Sequence, residues 1–290
     1  LTPPPAPAHH HAVPTPAADH LHPPAPDLPL SVALACRNNE ATIGRLLDSL
    51  ALLGGGVEVV ALDNGSTDAT IDILERHGAR VIRGQWRGHI GTKQDAMDAC
   101  TRPWVLNLDS DESLQPGLAA AIADVVRRDD PDVAACRINR QTWYRNRPLR
   151  FAWQPDRVVR LVRRDRAVFA GVEPHPQLVL RPGARGRIID LAGDRDGGHL
   201  RHDSFETFAE HLARQARYSH ENARALAAAG KRGSYLRLMT SPPGAFLKQL
   251  ILKQGLRDGY RGWLAAATTA AGALMKHAIL IELTREQERR

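Results

Sequence analysis

The chain is short of three things, and each shortage narrows what it can be. Cysteine is scarce: Cys36, Cys100 and Cys136 stand far apart and lack the paired spacing of a metal-ligand set. A sparse, odd set of thiols fits a reducing cytoplasm. Long apolar runs are also missing. The N-terminus carries no apolar h-region, so no secretory signal is expected. Lys276 and His277 interrupt the best C-terminal apolar stretch, and no transmembrane helix is expected there. The third shortage is of phosphate loops. No Gly-x-Gly-x-x-Gly follows a strand, no Walker lysine is present, and Gly84, Gly88 and Gly91 have the wrong spacing. Dinucleotide-binding and P-loop chemistry are thereby disfavoured.

What is present is unevenly distributed. Residues 1–136 carry 10 Lys+Arg against 18 Asp+Glu, a balance of −8, whereas residues 137–290 carry 29 against 14, a balance of +15. An acidic front with a basic back suggests metal–phosphate chemistry followed by contact with something anionic. Residues 1–29, rich in Pro, Ala and His, read as a disordered tail in which His9, His10 and His11 are solvated.

From Leu30 the pattern is regular. Ser31–Cys36, Val57–Leu62, Arg80–Arg83, Trp104–Leu108 and Val133–Ile138 read as strands. Helices are expected between them, through Ile43, Leu46, Leu47 and Leu50, over Thr67–His77, over Thr92–Cys100, and from Pro116 to Arg128. Such alternation implies an α/β fold with a mainly parallel, doubly wound sheet and helices on both faces. Further on, Arg157–Arg163 and Arg187–Leu191 read as strands and Phe205–Ala229 as a helix. Residues 244–283 form a second helical stretch, interrupted near Gly255–Gly262.

Two acidic strand ends carry the chemistry. Asp109 and Asp111, spaced i, i+2, close the strand Trp104–Leu108. In an open α/β sheet, ligands bind outside the carboxyl ends of the strands. Hard oxygen ligands placed there suit a divalent cation, Mn²⁺ or Mg²⁺, able to neutralise a diphosphate. Asp63, at the end of the second strand, opens Asp-Asn-Gly-Ser-Thr-Asp. It reads either as an acceptor for a nucleotide base or ribose, or as part of a well-capped turn. Lys93, opening the next helix, reads either as a phosphate contact or as an exposed helix lysine.

Ser-Val-Ala-Leu-Ala-Cys-Arg-Asn-Asn-Glu (31–40), Val-Ala-Leu-Asp-Asn-Gly-Ser-Thr-Asp (60–68), Gly-Thr-Lys-Gln-Asp-Ala (91–96) and Asn-Leu-Asp-Ser-Asp-Glu (107–112) together resemble the successive motifs of family 2 inverting glycosyltransferases with a GT-A fold. Trp153-Gln-Pro-Asp-Arg-Val-Val-Arg-Leu-Val-Arg-Arg, Gly171-Val-Glu-Pro-His175, His199-Leu-Arg-His202 and Phe246-Leu-Lys…Gly255-Leu-Arg-Asp-Gly-Tyr-Arg-Gly262 resemble the subgroup that adds glucose to a heptose of the lipopolysaccharide inner core. The resemblance covers about 30–283. It implies that Asp63 contacts uridine, that Asp109 and Asp111 form the D-x-D element with Asp111 the better metal contact, and that His202 completes the metal site. Asn64 departs from the family, where an acid or serine is common, and Pro176 stands where the subgroup has Glu.

Inversion requires a base for the attacking hydroxyl. Glu173, Asp156 and His175 are the candidates, with Glu173 favoured and Asp156 expected to pair with Arg157 or Arg160. The basic half crowds Arg137, Arg140, Arg145, Arg147, Arg150, Arg157, Arg160, Arg163, Arg164 and Arg166 among Trp143, Tyr144, Phe151 and Trp153. A nucleic-acid surface and a face gripping phosphorylated lipid headgroups share this look. Trp263 with Lys248, Lys253, Arg257 and Arg261 suits either the membrane interface or a core-packing helical pair.

The expectation is therefore a disordered tail (1–29), a GT-A domain (30–203) and a basic helical extension (204–290). It would transfer glucose from UDP-glucose to a saccharide or envelope-glycolipid hydroxyl, in the cytoplasm or peripherally on the inner membrane face. An anionic membrane surface is a candidate partner and nucleic acid is not. A nucleotidyltransferase is the first rival, disfavoured because Arg37-Asn-Asn-Glu40 stands where its glycine-rich loop would be. The second is a non-catalytic nucleic-acid-binding protein, which has no need of Asp63, Asp109 and Asp111.

Overall fold

The computed structural model describes residues 27–289 apart from Pro174, residues 192–197 and Ser204. The tail expected over 1–29 falls mostly outside these residues. In chain order the elements are β1 (Leu30–Cys36), α1 (Glu40–Leu50), β2 (Glu58–Asp63), α2 (Thr70–Arg76), β3 (Arg80–Arg83), α3 (Gly88–Asp98), β4 (Trp104–Asp109), β5 (Glu112–Leu114) and α4 (Pro116–Arg128). Then follow β6 (Val133–Tyr144), β7 (Arg147–Pro148), β8 (Arg157–Arg163), β9 (Ala167–Val172), β10 (His175–Leu180), β11 (Arg187–Asp190), β12 (Leu200–His202), α5 (Phe208–Ala228), α6 (Tyr235–Leu247) and α7 (Tyr260–Arg289).

The main sheet runs β3-β2-β1-β4-β8-β6-β12-β5, with β7 and β11 also paired to β6. The strands β3, β2, β1 and β4 are all parallel. β8 lies antiparallel between β4 and β6, while β11 and β12 run parallel to β6. Parallel pairings thus predominate, as the alternating pattern predicts. Alternation along β1 and β4 splits the core into two layers. Val32, Leu34, Leu106 and Leu108 face Ile43, Leu46, Leu118 and Ile122 of α1 and α4. Ala33 and Val105 face Ala96 and Met97 of α3. Each fully buried aliphatic side chain contributes roughly 1.5–3 kcal/mol, so both faces of the sheet are pinned. The result is the expected GT-A type of α/β architecture with a C-terminal helical part.

Several boundaries differ from the sequence expectation for local reasons. α2 starts at Thr70 rather than Thr67, because Ser66 and Thr67 are held in a turn by Asp63 and Asn38. α3 starts four residues early, at Gly88, since Glu173 supplies the acceptors for the first amides from far along the chain. β6 continues to Tyr144, beyond Ile138. The second helical stretch begins at Tyr235, and its anticipated interruption is the tight turn Gly255–Asp258.

By length and composition Tyr260–Glu286 is sufficient to cross a membrane, Lys276 notwithstanding. In this structure α7 packs along α5 and α6. A Cβ on Gly272 would press on the Gln215 side chain of α5, and Ser219 donates to the Gly272 carbonyl at 3.2 Å. The helical part is fastened to the sheet through residues 150–154. The Asp258 carboxylate accepts from the backbone amides of Arg150, Phe151 and Ala152 at 2.9, 3.0 and 2.8 Å. Trp153 Nε1 donates to Thr269 at 3.0 Å, and Lys253 Nζ to the Gln154 carbonyl at 2.8 Å.

Candidate active site

The carboxyl ends of β1, β2 and β4 form one edge, where two loops bind each other. Asn38 of the β1–α1 loop accepts at Oδ1 from Thr67 N at 2.8 Å and donates through its backbone N–H to Ser66 Oγ at 2.9 Å. Glu40 accepts from Ala69 N at 3.0 Å, and Asp68 from Glu40 N at 3.2 Å. Within this edge Asp63 is 2% exposed. It accepts from Gly65 N and Ser66 N, both at 3.0 Å, and from Ser66 Oγ. Asp63 is therefore a turn former whose lone pairs are taken locally. Its neighbour Asn64 has a buried Oδ1 with no partner among the described residues.

At the end of β4 the two aspartates part company. Asp109 is ion-paired with Lys93 of α3 and, at 2.7 Å, with Arg160 of β8. Glu112, fully buried, receives Arg160 at 2.6 Å, Arg140 at 3.4 Å and the Asp109 amide at 3.0 Å. Arg140 reaches on to Asp156 at 2.8 Å. Lys93, Arg140 and Arg160 thus balance Asp109, Glu112 and Asp156. Burial pushes the Asp109 carboxyl up, but Arg160 and then Lys93 outweigh it and hold the carboxyl well below the usual carboxylate range. Burial likewise opposes the charge on Arg160, which Asp109 and Glu112 restore, raising its pKa.

Asp111 faces elsewhere. Its carboxylate lies 3.5 Å from His202 Nε2 on β12 and 3.8 Å from Arg214 of α5. These are Coulombic contacts longer than a good hydrogen bond. Burial raises the Asp111 pKa and His202 lowers it, with a net lowering. Among the described residues His202 Nδ1, which is buried, has no partner. Among the described residues no three or more His, Cys, Asp or Glu side chains are grouped to hold a metal ion.

The three base candidates are placed apart. Glu173 is exposed, and its two oxygens cap α3 through His89 N at 3.0 Å and Ile90 N at 2.9 Å. Gly88 has φ of +78°, and a Cβ there would meet Glu173 Oε1 at 2.6 Å, so the cap needs that glycine. Asp156 pairs with Arg140 rather than with Arg157 or Arg160. His175 opens β10, and its side chain lies outside the described residues. One turn before Arg214, His211 packs on Trp153 and Phe205 at ring separations of 5.3 and 4.1 Å. Burial, then the Arg214 charge, pushes its pKa down to about 4.

Sequence reasoning placed the arginines on an anion-binding surface and missed Arg140, Arg160, Glu112 and Arg214 as parts of the site. Arg160 sits between Val159 and Leu161, in a strand whose last four residues are buried. An arginine inside an apolar run was the available signal. Arg163 is also spent internally, donating to the carbonyls of Val133, Asp129 and Asp130 at 2.8–3.0 Å. Asn139, Gln141 and Trp143 alternate with Arg140 along β6, so they face away from the acid cluster. With Arg147, Arg150 and Lys253 they line a groove of about 1170 Å³.

The model of glycosyl transferase family 2 matches residues 31–172. The chain is 29% identical over 273 residues to the lipopolysaccharide core biosynthesis glycosyltransferase LpsC of Rhizobium meliloti (strain 1021), covering 88% of this chain and 95% of that one. It is 30% identical over 263 residues to an uncharacterized glycosyltransferase, RT0209, of Rickettsia typhi (strain ATCC VR-144 / Wilmington), covering 88% and 87%. Among solved structures, the mannosyltransferase PcManGT of Pyrobaculum calidifontis, in complex with GDP-Man and Mn²⁺, aligns over 89% of this chain and 91% of its own, with a TM-score of 0.48 and 17% identity. The matched segment contains β1, the Asp63 turn, Lys93 and the Asp109/Asp111 strand end, and with near full-length relatives it shows that the chain belongs to glycosyl transferase family 2.

Proposed function

We propose that this glycosyltransferase transfers glucose from UDP-glucose to a hydroxyl of a cell-envelope glycolipid or saccharide, with inversion. The observation that carries the reading is the division of labour at the end of β4, where Asp109 is neutralised by Lys93 and Arg160 while Asp111 is left facing His202. Asp111 and His202 Nε2 offer an oxygen and an imidazole nitrogen, a donor pair that fits Mn²⁺ better than the oxygen-seeking Mg²⁺. Asp109, already saturated with cations, does not fit as a ligand in this arrangement. A divalent cation bound there would supply charge stabilisation for the departing diphosphate.

The chain's own residues do the rest. Lys93, held by Asp109, presents a positive charge beside the diphosphate. On the β2–α2 turn, Asp63 fixes the backbone against which the nucleoside is held. Asp156 fits the base role better than Glu173. It belongs through Arg140 to the charge cluster of Asp109 and Glu112, whereas both oxygens of Glu173 stabilise a helix terminus. The name of the Rhizobium relative supports an acceptor in the lipopolysaccharide core. On this reading the enzyme works in the cytoplasm, and at the inner membrane face when its acceptor is lipid-linked. Calorimetric titration with UDP, with and without Mn²⁺, tests the donor site: metal-dependent binding lost in Asp111→Ala supports it, and no binding in either condition refutes it.

A further inference from the structure

α6 is mostly apolar, Tyr-Leu-Arg-Leu-Met-Thr-Ser-Pro-Pro-Gly-Ala-Phe-Leu, yet none of its residues is buried. Leu236, Met239, Pro243 and Leu247 recur at helical spacing, and Ile251 continues the stripe into the turn Lys248–Leu252. Leu236 is 73% exposed, Met239 72%, Leu252 76% and Trp263 50%. Isolated exposed leucines need no explanation, but a continuous stripe of them marks a surface built to be covered.

The charge of the same region says what covers it. Between Asn222 and Ile281 the chain has nine Lys+Arg and one acid, Asp258. That carboxylate is engaged by three backbone amides. Among the described residues none of Arg237, Lys248, Lys253, Arg257 and Arg261 makes an ion pair. Arg147 and Arg150, also without ion pairs, rim the groove that Leu252 and Lys253 complete. A second copy would set this positive surface against itself, because a two-fold interface pairs the same patch on both subunits. An anionic bilayer answers both properties, taking the apolar stripe into the headgroup–acyl boundary and pairing the basic residues with lipid phosphates.

We infer that α6, the turns over 248–258 and the start of α7 form a monotopic docking face for an anionic membrane. The inference rests on surface chemistry and stands whether or not the donor reading holds. The test is co-sedimentation of the full chain with phosphatidylglycerol-containing vesicles and with phosphatidylcholine vesicles. Binding to the former is expected, at least about tenfold weaker to the latter and about fivefold weaker for each of Arg237→Ala and Lys248→Ala. The triple variant L236Q/M239Q/L252Q is expected to lose vesicle binding while its unfolding midpoint stays that of the parent, since all three side chains are largely exposed. No binding, or undiminished binding of the triple variant, would overturn the inference. So would a concentration-dependent dimer abolished by those substitutions in a chain that ignores vesicles. UDP titration of the same preparations separates failure of docking from failure of the donor site.

Discussion

Lys93, Arg140 and Arg160 meet Asp109, Glu112 and Asp156 at the end of β4, whereas among the described residues Arg237, Lys248, Lys253, Arg257 and Arg261 form no ion pair with a carboxylate. One region of the molecule has balanced its charge internally and gone partly dry. The other leaves Arg237, Lys248 and much of its apolar surface exposed, while Lys253 is held by the Gln154 carbonyl. A buried charge is tolerable only when paired, so the first arrangement serves geometry. An unpaired surface charge costs little in water and is free to engage something else. The same residue type, arginine, therefore means different things in β8 and in α6.

That contrast can be broken, most severely at Arg160. Arg160→Ala takes from Asp109 and Glu112 the cation they share, leaving them Lys93 and Arg140, and is expected to cost about 3 kcal/mol in urea unfolding; a loss below about 1 kcal/mol would show that the cluster is not coupled. Next is Asp156→Asn, for which kcat/KM is expected to fall about 10²–10⁴-fold. Glu173→Gln should instead cost about 1 kcal/mol of stability by loosening a helix cap, and the reverse pattern would return the base role to Glu173. The two aspartates sharpen the comparison further. Asp111→Asn is expected to weaken UDP binding in Mn²⁺ at least about tenfold with little change in melting, while Asp109→Asn lowers the melting temperature first.

A smaller effect is expected from His211, whose folded pKa is pushed down to about 4 from an ordinary value near 6.5. Below pH 6.5 the unfolded chain takes up the proton and the folded chain does not, so stability falls as pH drops from 6.5 towards 4 and levels off beneath. His211→Phe, which keeps the ring stack with Trp153 and Phe205, should flatten that slope by a few degrees of melting temperature. Smallest of all, Arg237→Ala and Lys248→Ala should change stability by less than about 0.5 kcal/mol; a larger loss would mean that these side chains have internal partners after all.

Much of the sheet was legible because β1, β2 and β4 are apolar runs of buried parallel type, and α1 and α4 carry leucines and isoleucines at helical spacing. The three-residue β5 and β12 were not, since Glu112 and His202 become strand partners across some ninety intervening residues and no local pattern encodes such a pairing. The acidic strand end was readable from Asp109 and Asp111 alone. Their opposite fates were not, because these depend on Arg160 arriving from an antiparallel neighbour and Arg214 from a helix of the C-terminal part.

The clamp of Asp258 on the amides of Arg150, Phe151 and Ala152 has a further consequence for how the molecule comes apart. Those amides lie at the start of the segment that leads through Asp156 into β8, so their hydrogen exchange reports on residues more than a hundred positions away. They can stay as slow as the sheet only while the C-terminal helices remain docked. The chain should accordingly open as one cooperative unit, and a fragment ending near residue 203 would lose the order of its own residues 150–156 along with the helices.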